Sequence, residues 1–334
     1  MVALDAVRAS NAKLRQLPPG LVAVFLGATS GIGESTLKQL CRHTIRPRVY
    51  IVGRSQDAAN RILSELKAIQ PEAEARFIQK DLTLLKNADE VCEEIKANET
   101  KLNLLFMTTG TMSLKGRDET SEGLDRKLTT NYYARMRFTQ QLLPLLQAAS
   151  PQLSRVVSVL APGEESLTSF HLDDLGLKNN FSLRTAACHA ITMTDFAFEE
   201  MAKQHPTTSF VHAYPGIVKS GFIKEAGFAL KTAMNAVYVL LAPWKIDIQE
   251  SGERHLCAAT SAVYPAKSGN EGGVDMGNQK VMKGSTGEIG SGAYLIGSDG
   301  ELRANAKALK ELRSKGAGLQ IWEHTMHTFE TVNK

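Results

Sequence analysis

What most constrains this chain is the stretch Gly27-Ala28-Thr29-Ser30-Gly31-Ile32-Gly33, together with what stands on either side of it. Before it, Leu21-Val22-Ala23-Val24-Phe25-Leu26 has the β-branched and aromatic content of a buried strand. After it, Glu34-Ser35-Thr36-Leu37-Lys38-Gln39-Leu40-Cys41 places apolar residues at helical spacing. Strand, glycine turn and helix make a βα unit whose helix N-terminus aims free N–H groups at an anion. The glycines let the backbone turn tightly and approach a pyrophosphate that a Cβ would push away. A glycine trio alone fits an ordinary turn. The flanking strand and helix make it an expectation of dinucleotide binding.

The alternation continues along the chain. Arg48-Val49-Tyr50-Ile51-Val52-Gly53 reads as a second strand and ends in Arg54-Ser55. In a doubly wound sheet this place faces the adenosine ribose, where an acid would bind the 2′-hydroxyl of NAD. Arg54 suits the 2′-phosphate of NADP (NADPH) instead, with a surface arginine on a turn as the plainer alternative. A helix over 58–69 leads to a third strand over 75–82, with Asp81 near its C-terminal end, where ligands gather in open α/β sheets. A helix over about 84–97 and a strand over 102–107 follow, ending in Thr108-Thr109-Gly110. This β-α-β-α-β-α-β order implies a parallel sheet with right-handed crossovers.

A long amphipathic helix is expected over 122–149, holding Asn131 and, near its end, Pro144. A fifth strand over 155–161, a loop with Asp173-Asp174-Leu175 and a helix over 183–203 come next. A sixth strand over 209–214 runs into Pro215-Gly216-Ile217-Val218. Residues 222–246 are apolar and helical in pattern, in runs too short to span a bilayer. They predict a lid or pocket wall, with membrane contact as the alternative. A helix over 249–262, a glycine-rich loop over 268–292, a seventh strand over 292–297 and a helix around Trp322 complete the pattern. The expected organisation is a helical lead-in over 1–20 and one domain over 21–334, with the lid at about 221–246 and a C-terminal strand-helix extension.

At 334 residues, 43% hydrophobic and 22% charged, the chain has the composition of an ordinary soluble globular protein. Its net charge of +4 is scattered, so no nucleic-acid partner is expected. Cys41, Cys92, Cys188 and Cys257 lack metal-ligand spacing and read as free thiols in a reducing compartment. The first twenty residues carry Leu4, Val7, Leu14 and Leu17 on a helical pattern ending at Pro18-Pro19-Gly20, which is not a secretory signal. Asp5 and the low serine count argue against a mitochondrial presequence, so a cytoplasmic location is expected, with no stable membrane insertion.

With these residues in hand, the chain resembles the short-chain dehydrogenase/reductase family over nearly its whole length. The resemblance rests on Gly27-x-x-x-Gly31-x-Gly33, Asp81-Leu82, Thr109-Gly110, Asn131 and Pro215-Gly216. The segment from the fifth strand to the following helix is similar to the retinol-dehydrogenase-like branch. The N-terminal Pro-Pro-Gly lead-in and Ile321-Trp322-Glu323-His324-Thr325 resemble a fungal subgroup of specialised-metabolite pathways. The resemblance implies a single doubly wound Rossmann-type α/β domain, a parallel sheet of about seven strands flanked by helices. It implies a nicotinamide cofactor held by Gly27, Thr29, Ser30, Gly31, Ile32 and Gly33, by Arg54, Asp81, Leu82, Thr109 and Gly110, and by Pro215, Gly216, Ile217 and Val218. It also implies a small-molecule substrate and a homodimer or tetramer.

The family moves a hydride between nicotinamide and a carbonyl or alcohol, using Ser, Tyr, Lys and Asn. The serine hydrogen-bonds the substrate oxygen and the tyrosine is the acid/base. The lysine charge lowers the tyrosine pKa, and the asparagine holds a relay water. Asn131 matches the asparagine. The serine position is Ala161, and the Tyr-x-x-x-Lys positions fall on Ala187 and Ile191 within Phe181-Ser182-Leu183-Arg184-Thr185-Ala186-Ala187-Cys188-His189-Ala190-Ile191. An alternative alignment puts Phe181 at the tyrosine and Thr185 at the lysine, and supplies no acid either. Losing the general acid alone removes about 10²- to 10⁴-fold in rate. The substitute donors near the expected pocket are His189 and Tyr214, with Ser158, His212 and Tyr132 behind them as core or strand residues. Cys188 is a weaker nucleophile candidate, with no paired base.

Two readings follow. One is an NADP(H)-dependent oxidoreductase acting on a small apolar substrate through a non-standard proton donor, its catalytic set being Asn131 with His189 or Tyr214. The other is a redox-silent isomerase, epimerase or cyclase on the same fold. A non-catalytic binding protein is the lesser alternative.

Overall fold

The computed structural model describes residues 2–111, 113–150, 152–218, 245–268, 272–277 and 279–332. Its centre is a seven-stranded parallel sheet in the order β3-β2-β1-β4-β5-β6-β9. The strands are β1 (Val22–Leu26), β2 (Arg48–Gly53), β3 (Glu74–Gln79), β4 (Leu104–Met107), β5 (Arg155–Val159), β6 (Ser209–Ala213) and β9 (Ala293–Ile296). Strand order reverses between β1 and β4, which opens a crevice at their C-terminal ends. The expected doubly wound Rossmann-type sheet is therefore what the chain forms.

Alternation along β1 sets the two layers. Val22, Val24 and Leu26 face α4 (Leu85–Asn98), α6 (Ala134–Ala148) and α7 (Leu183–Gln204). Ala23 and Phe25 face α2 (Gly31–His43) and α8 (Ile248–Thr260). The lead-in forms α1 (Leu4–Ala12) and a 3₁₀ turn (Lys13–Gln16), burying Val7 and Leu14 in this second layer. Asn11 Nδ2 donates to the Glu253 carbonyl of α8 at 2.9 Å, so the lead-in is packed onto the sheet's own helices.

Several boundaries differ from the sequence expectation. β3 stops at Gln79, and Asp81 Oδ1 accepts the Thr83 N–H at 3.1 Å in an Asx turn, so Asp81 and Leu82 lie beyond the strand. The long helix starts only at α5 (Arg126–Leu128), because Asp125 Oδ1 accepts the Lys127 and Leu128 N–H groups at 2.9 and 3.1 Å. Between α5 and α6, Thr129–Tyr133 is a π turn. β5 and β6 end before Ala161 and Tyr214. The terminal helix is two, α9 (Ala306–Ser314) and α10 (Ala317–Val332), with Gly316 at φ +73 between them. Lys245–Ile246 is not a helix end but β8, paired in parallel with β7 (Ile217–Val218). The rest of the expected lid, up to residue 244, lies outside the described residues.

The turn after β1 admits no side chain. Gly27 has φ +89, and a Cβ there would stand 2.7 Å from the Thr109 nitrogen. Gly27→Ala is expected to destabilise the fold by about 2–4 kcal/mol through strain and overlap, read as a fall in the urea midpoint at unchanged slope.

Candidate active site

The crevice at the ends of β1 and β4 is built first by backbone. The Gly27 N–H donates to Val52 O at 3.0 Å, and the Thr108 and Thr109 N–H groups both reach Leu26 O, at 2.8 and 2.9 Å. Thr108 Oγ1 donates to Gly27 O at 3.1 Å, and a Cβ on Gly33 would fall 2.5 Å from that same hydroxyl. Gly31, at φ +66, starts α2 directly after Ser30, whose hydroxyl accepts no bond from the helix. By contrast α7 and α8 begin under the side chains of Ser182 and Asp247, and Glu122 takes the first N–H groups of α4. The N–H groups of α2 thus face the crevice with no side-chain cap, and Thr29, Ser30 and Ile32 are half-buried around them. Their donors and the missing Cβ atoms fit a pyrophosphate.

Arg54 is exposed at the end of β2, next to the same loop, since a Cβ on Gly53 would meet the Thr29 side chain at 3.2 Å. Arg61 of α3 (Gln56–Ile69) was not foreseen. Its Nη2 reaches Thr29 O at 3.3 Å and Glu34 Oε2 at 2.7 Å, tying the loop to α3. On the far side, Thr109 and Gly110 are half-buried beyond β4. Gly216, at φ +75, turns the chain from Pro215 into β7 under the Ile246 side chain.

Asn131 sits in the π turn, half-buried, with no hydrogen bond to its side chain among the described residues. Such bulges re-aim side chains and recur at functional sites. Its neighbours Tyr132 and Tyr133 point the other way, to Thr325 Oγ1 at 2.6 Å and His324 Nε2 at 2.8 Å on α10, which removes Tyr132 from the donor candidates.

α7 carries the positions that the resemblance singles out. Ser182 and Thr185 close a capping box, with Thr185 Oγ1 accepting the Ser182 N–H at 2.7 Å. In the alternative register Thr185 is thus spent on the cap. Ala187 is exposed at the helix start, and Ile191, one turn on, is 5% exposed. Neither can move a proton, and neither can Ala161.

His189 is corrected as a donor. It is fully buried, its Nε2 accepts the His171 N–H at 2.9 Å, and its Nδ1 lies 3.3 Å from Leu175 O, to which it donates. Both nitrogens hold the 171–175 loop and neither meets the crevice. Burial pushes its pKa down to about 4, with the Leu175 carbonyl opposing that and His171 reinforcing it. Ser158 and His212 are also fully buried, bonded to Arg135 and Asp195. Cys188 is buried, and burial pushes its thiol up.

Tyr214 is different. It is half-buried, and its hydroxyl has no partner among the described residues. The Arg303 guanidinium, which the sequence did not single out, lies 4.1 Å from the centre of its ring. Arg303 Nε donates to Pro162 O at 2.9 Å and Nη2 to Glu164 Oε1 at 2.6 Å, fixing Tyr214 beside the segment that contains Ala161.

The comparisons bear on the family and the fold. The family model for short chain dehydrogenase matches residues 21–163. Oxidoreductase AN1596 of Emericella nidulans is 46% identical over 328 residues, covering 97% of each chain. Short-chain dehydrogenase/reductase SAT2 of Stachybotrys chartarum is 30% identical over 351 residues, covering 100% of this chain and 98% of its own. Among solved structures, a short-chain dehydrogenase from Sphingobium yanoikuyae in complex with NADPH aligns at TM-score 0.51 and 16% identity, over 71% of this chain and 84% of that one. No helix among the described residues is long and apolar enough to cross a membrane.

Burial also pushes His255 and His324 down to about 4. An unfolded histidine protonates near 6.5, so between about 6.5 and 4 the unfolded chain binds more protons. Stability is therefore full above about 6.5 and falls as pH drops toward 4, by on the order of 3 kcal/mol for His189 alone. Urea midpoints measured across that range should fall steeply, and less so in His189→Gln.

Proposed function

The chain belongs to the short-chain dehydrogenase/reductase family, and we propose that within it this protein is an NADP(H)-dependent oxidoreductase with Tyr214 as its proton donor. The observation that carries the reading is the contrast between the two halves of the site. The phosphate cradle is complete, with an uncapped α2 N-terminus and two glycine close approaches. The standard acid positions hold Ala161, Ala187 and Ile191, and of the substitute donors only Tyr214 keeps an uncommitted hydroxyl among the described residues.

In this reading Gly27 to Gly33 hold the pyrophosphate and Arg54 the 2′-phosphate. Asp81 and Leu82 border the adenine, Thr109 and Gly110 the riboses, and Pro215 to Val218 the carboxamide side. A bound nicotinamide supplies the hydride. Tyr214 Oη gives its proton to the carbonyl oxygen as the new C–H bond forms, and regains it from solvent. Arg303, stacked on the ring, holds the tyrosine in place. Asn131 holds a relay water. The substrate is a small apolar carbonyl or alcohol, a reading supported by the apolar composition of residues 221–244 in the sequence.

Three outcomes test this. Arg54→Glu should weaken NADPH binding at least tenfold while leaving NADH binding nearly unchanged, read by calorimetry. Tyr214→Phe should lower kcat by about 10²- to 10⁴-fold with little change in the NADPH Kd. The loss of Ser, Tyr and Lys together favours the redox-silent isomerase, epimerase or cyclase as the second reading. Turnover of substrate with no nucleotide added would establish it and remove the first.

A further inference from the structure

One polar cluster lies under the crevice and takes no part in the reaction just described. Ser158 of β5 and His212 of β6 are register partners in the parallel ladder. Arg135 reaches this row from α6, one turn beyond Asn131, and Asp195 reaches it from α7, one turn beyond Ile191. All four side chains are buried, none more than 1% exposed.

Arg135 Nη1 donates to Ser158 Oγ at 2.7 Å and to Val159 O at 2.9 Å, while Nη2 donates to Thr109 O. Each of these acceptors is a neutral oxygen. The carboxylates nearby are engaged elsewhere. Asp195 Oδ1 meets His212 Nδ1 at 2.6 Å, Glu165 accepts the Gly163 and Asn305 N–H groups at 2.7 Å each, and Glu199 pairs with Arg313. Arg135 Nε, His212 Nε2 and Asp195 Oδ2 have no partner among the described residues, and burial holds the Asp195 carboxyl well above the usual carboxylate range. Burial lowers Arg135 only to about 9, so it is a cation at neutral pH.

The place of this cation matters. Its bonds hold the ends of β4 and β5, across the strand-order reversal from Arg54. A dinucleotide laid across the crevice with its adenosine at Arg54 has its nicotinamide half on the β4–β5 side. The resemblance puts the family's lysine at Ile191, or at Thr185 in the alternative register, neither of which carries a charge. The NADP⁺ ring carries a positive charge that the NADPH ring lacks.

We propose that Arg135 supplies the site's fixed positive charge from beneath, and that this charge makes the nucleotide site select NADPH over NADP⁺. The inference rests on the NADP(H) reading above and adds a direction to it: the protein is a reductase that releases its oxidised nucleotide readily. Arg135 is then a positioning residue, acting through its field and not by contact with substrate. At an effective dielectric of about 20, two unit charges about 10 Å apart still change an equilibrium constant about tenfold.

Calorimetric titration of the full chain with NADPH and with NADP⁺ tests this without any substrate. The expected result is a Kd for NADP⁺ about tenfold above that for NADPH, kept in Arg135→Lys and lost in Arg135→Gln. Equal affinities in the natural protein overturn the inference, as does a ratio unchanged in Arg135→Gln or lost equally in Arg135→Lys. Should Arg135→Gln fail to fold, the natural ratio and its persistence in Arg135→Lys decide. Binding of neither nucleotide overturns the NADP(H) reading itself, and is readily told apart from equal binding of both.

Discussion

Everything at the functional end of this molecule depends on how closely the β1–α2 turn approaches the end of β4. Leu26 O accepts from Thr108 and Thr109, Gly27 donates to Val52, and the Thr108 hydroxyl closes on Gly27 O. Three strand ends are thereby fixed against one another by backbone bonds and the Thr108 hydroxyl. The close packing is possible only because two of the residues lack a Cβ. The N-cap residue Ser30 places no hydroxyl bond on the helix, so the N–H groups at the start of α2 have no side-chain cap. The close approach of Gly27 and Gly33 to Thr108 and Thr109 thus shapes the turn from which α2 starts.

This constraint explains why the fold could be read from the sequence. The glycine stretch, the apolar runs and the alternation of strand and helix are local signals, and each maps to one element of the parallel sheet. The start of α7 at Leu183 was legible because Ser182 and Thr185 sit at capping-box spacing. The extent of β3 was not, because Asp81 ends it by bonding its own backbone two residues on. Lys245–Ile246 reads as the tail of a helical run, and only its pairing with Ile217–Val218, far back in the chain, makes it a strand.

The chemistry was legible by subtraction. The family resemblance, not spacing by itself, puts the family's serine, tyrosine and lysine at Ala161, Ala187 and Ile191, with Phe181 and Thr185 as the alternative register. What replaces them depends on tertiary contacts. His189 looked available because it shares a helix with those positions, yet its ring holds a loop through both nitrogens. Arg303 is some ninety residues beyond Tyr214 in sequence and against its ring in space. The π turn that carries Asn131 leaves no mark in composition, since an extra residue in a helix is a matter of register.

Polar chemistry in this protein is displaced one layer inward. At the positions where the resemblance expects the family's serine, tyrosine and lysine, this chain has Ala161, Ala187 and Ile191. One turn or one strand step deeper lie Arg135, Ser158, Asp195 and His212, sealed from solvent. A buried guanidinium facing only neutral oxygens is costly, and replacing it with an apolar residue of similar volume would ordinarily stabilise a fold. Its bonds to Thr109 and Val159 alone do not account for it, since an uncharged donor would serve. A charge contributes where another charge changes, and in the proposed reaction that group is the nicotinamide ring. Loss of the surface set and presence of the buried cation are therefore two sides of one arrangement.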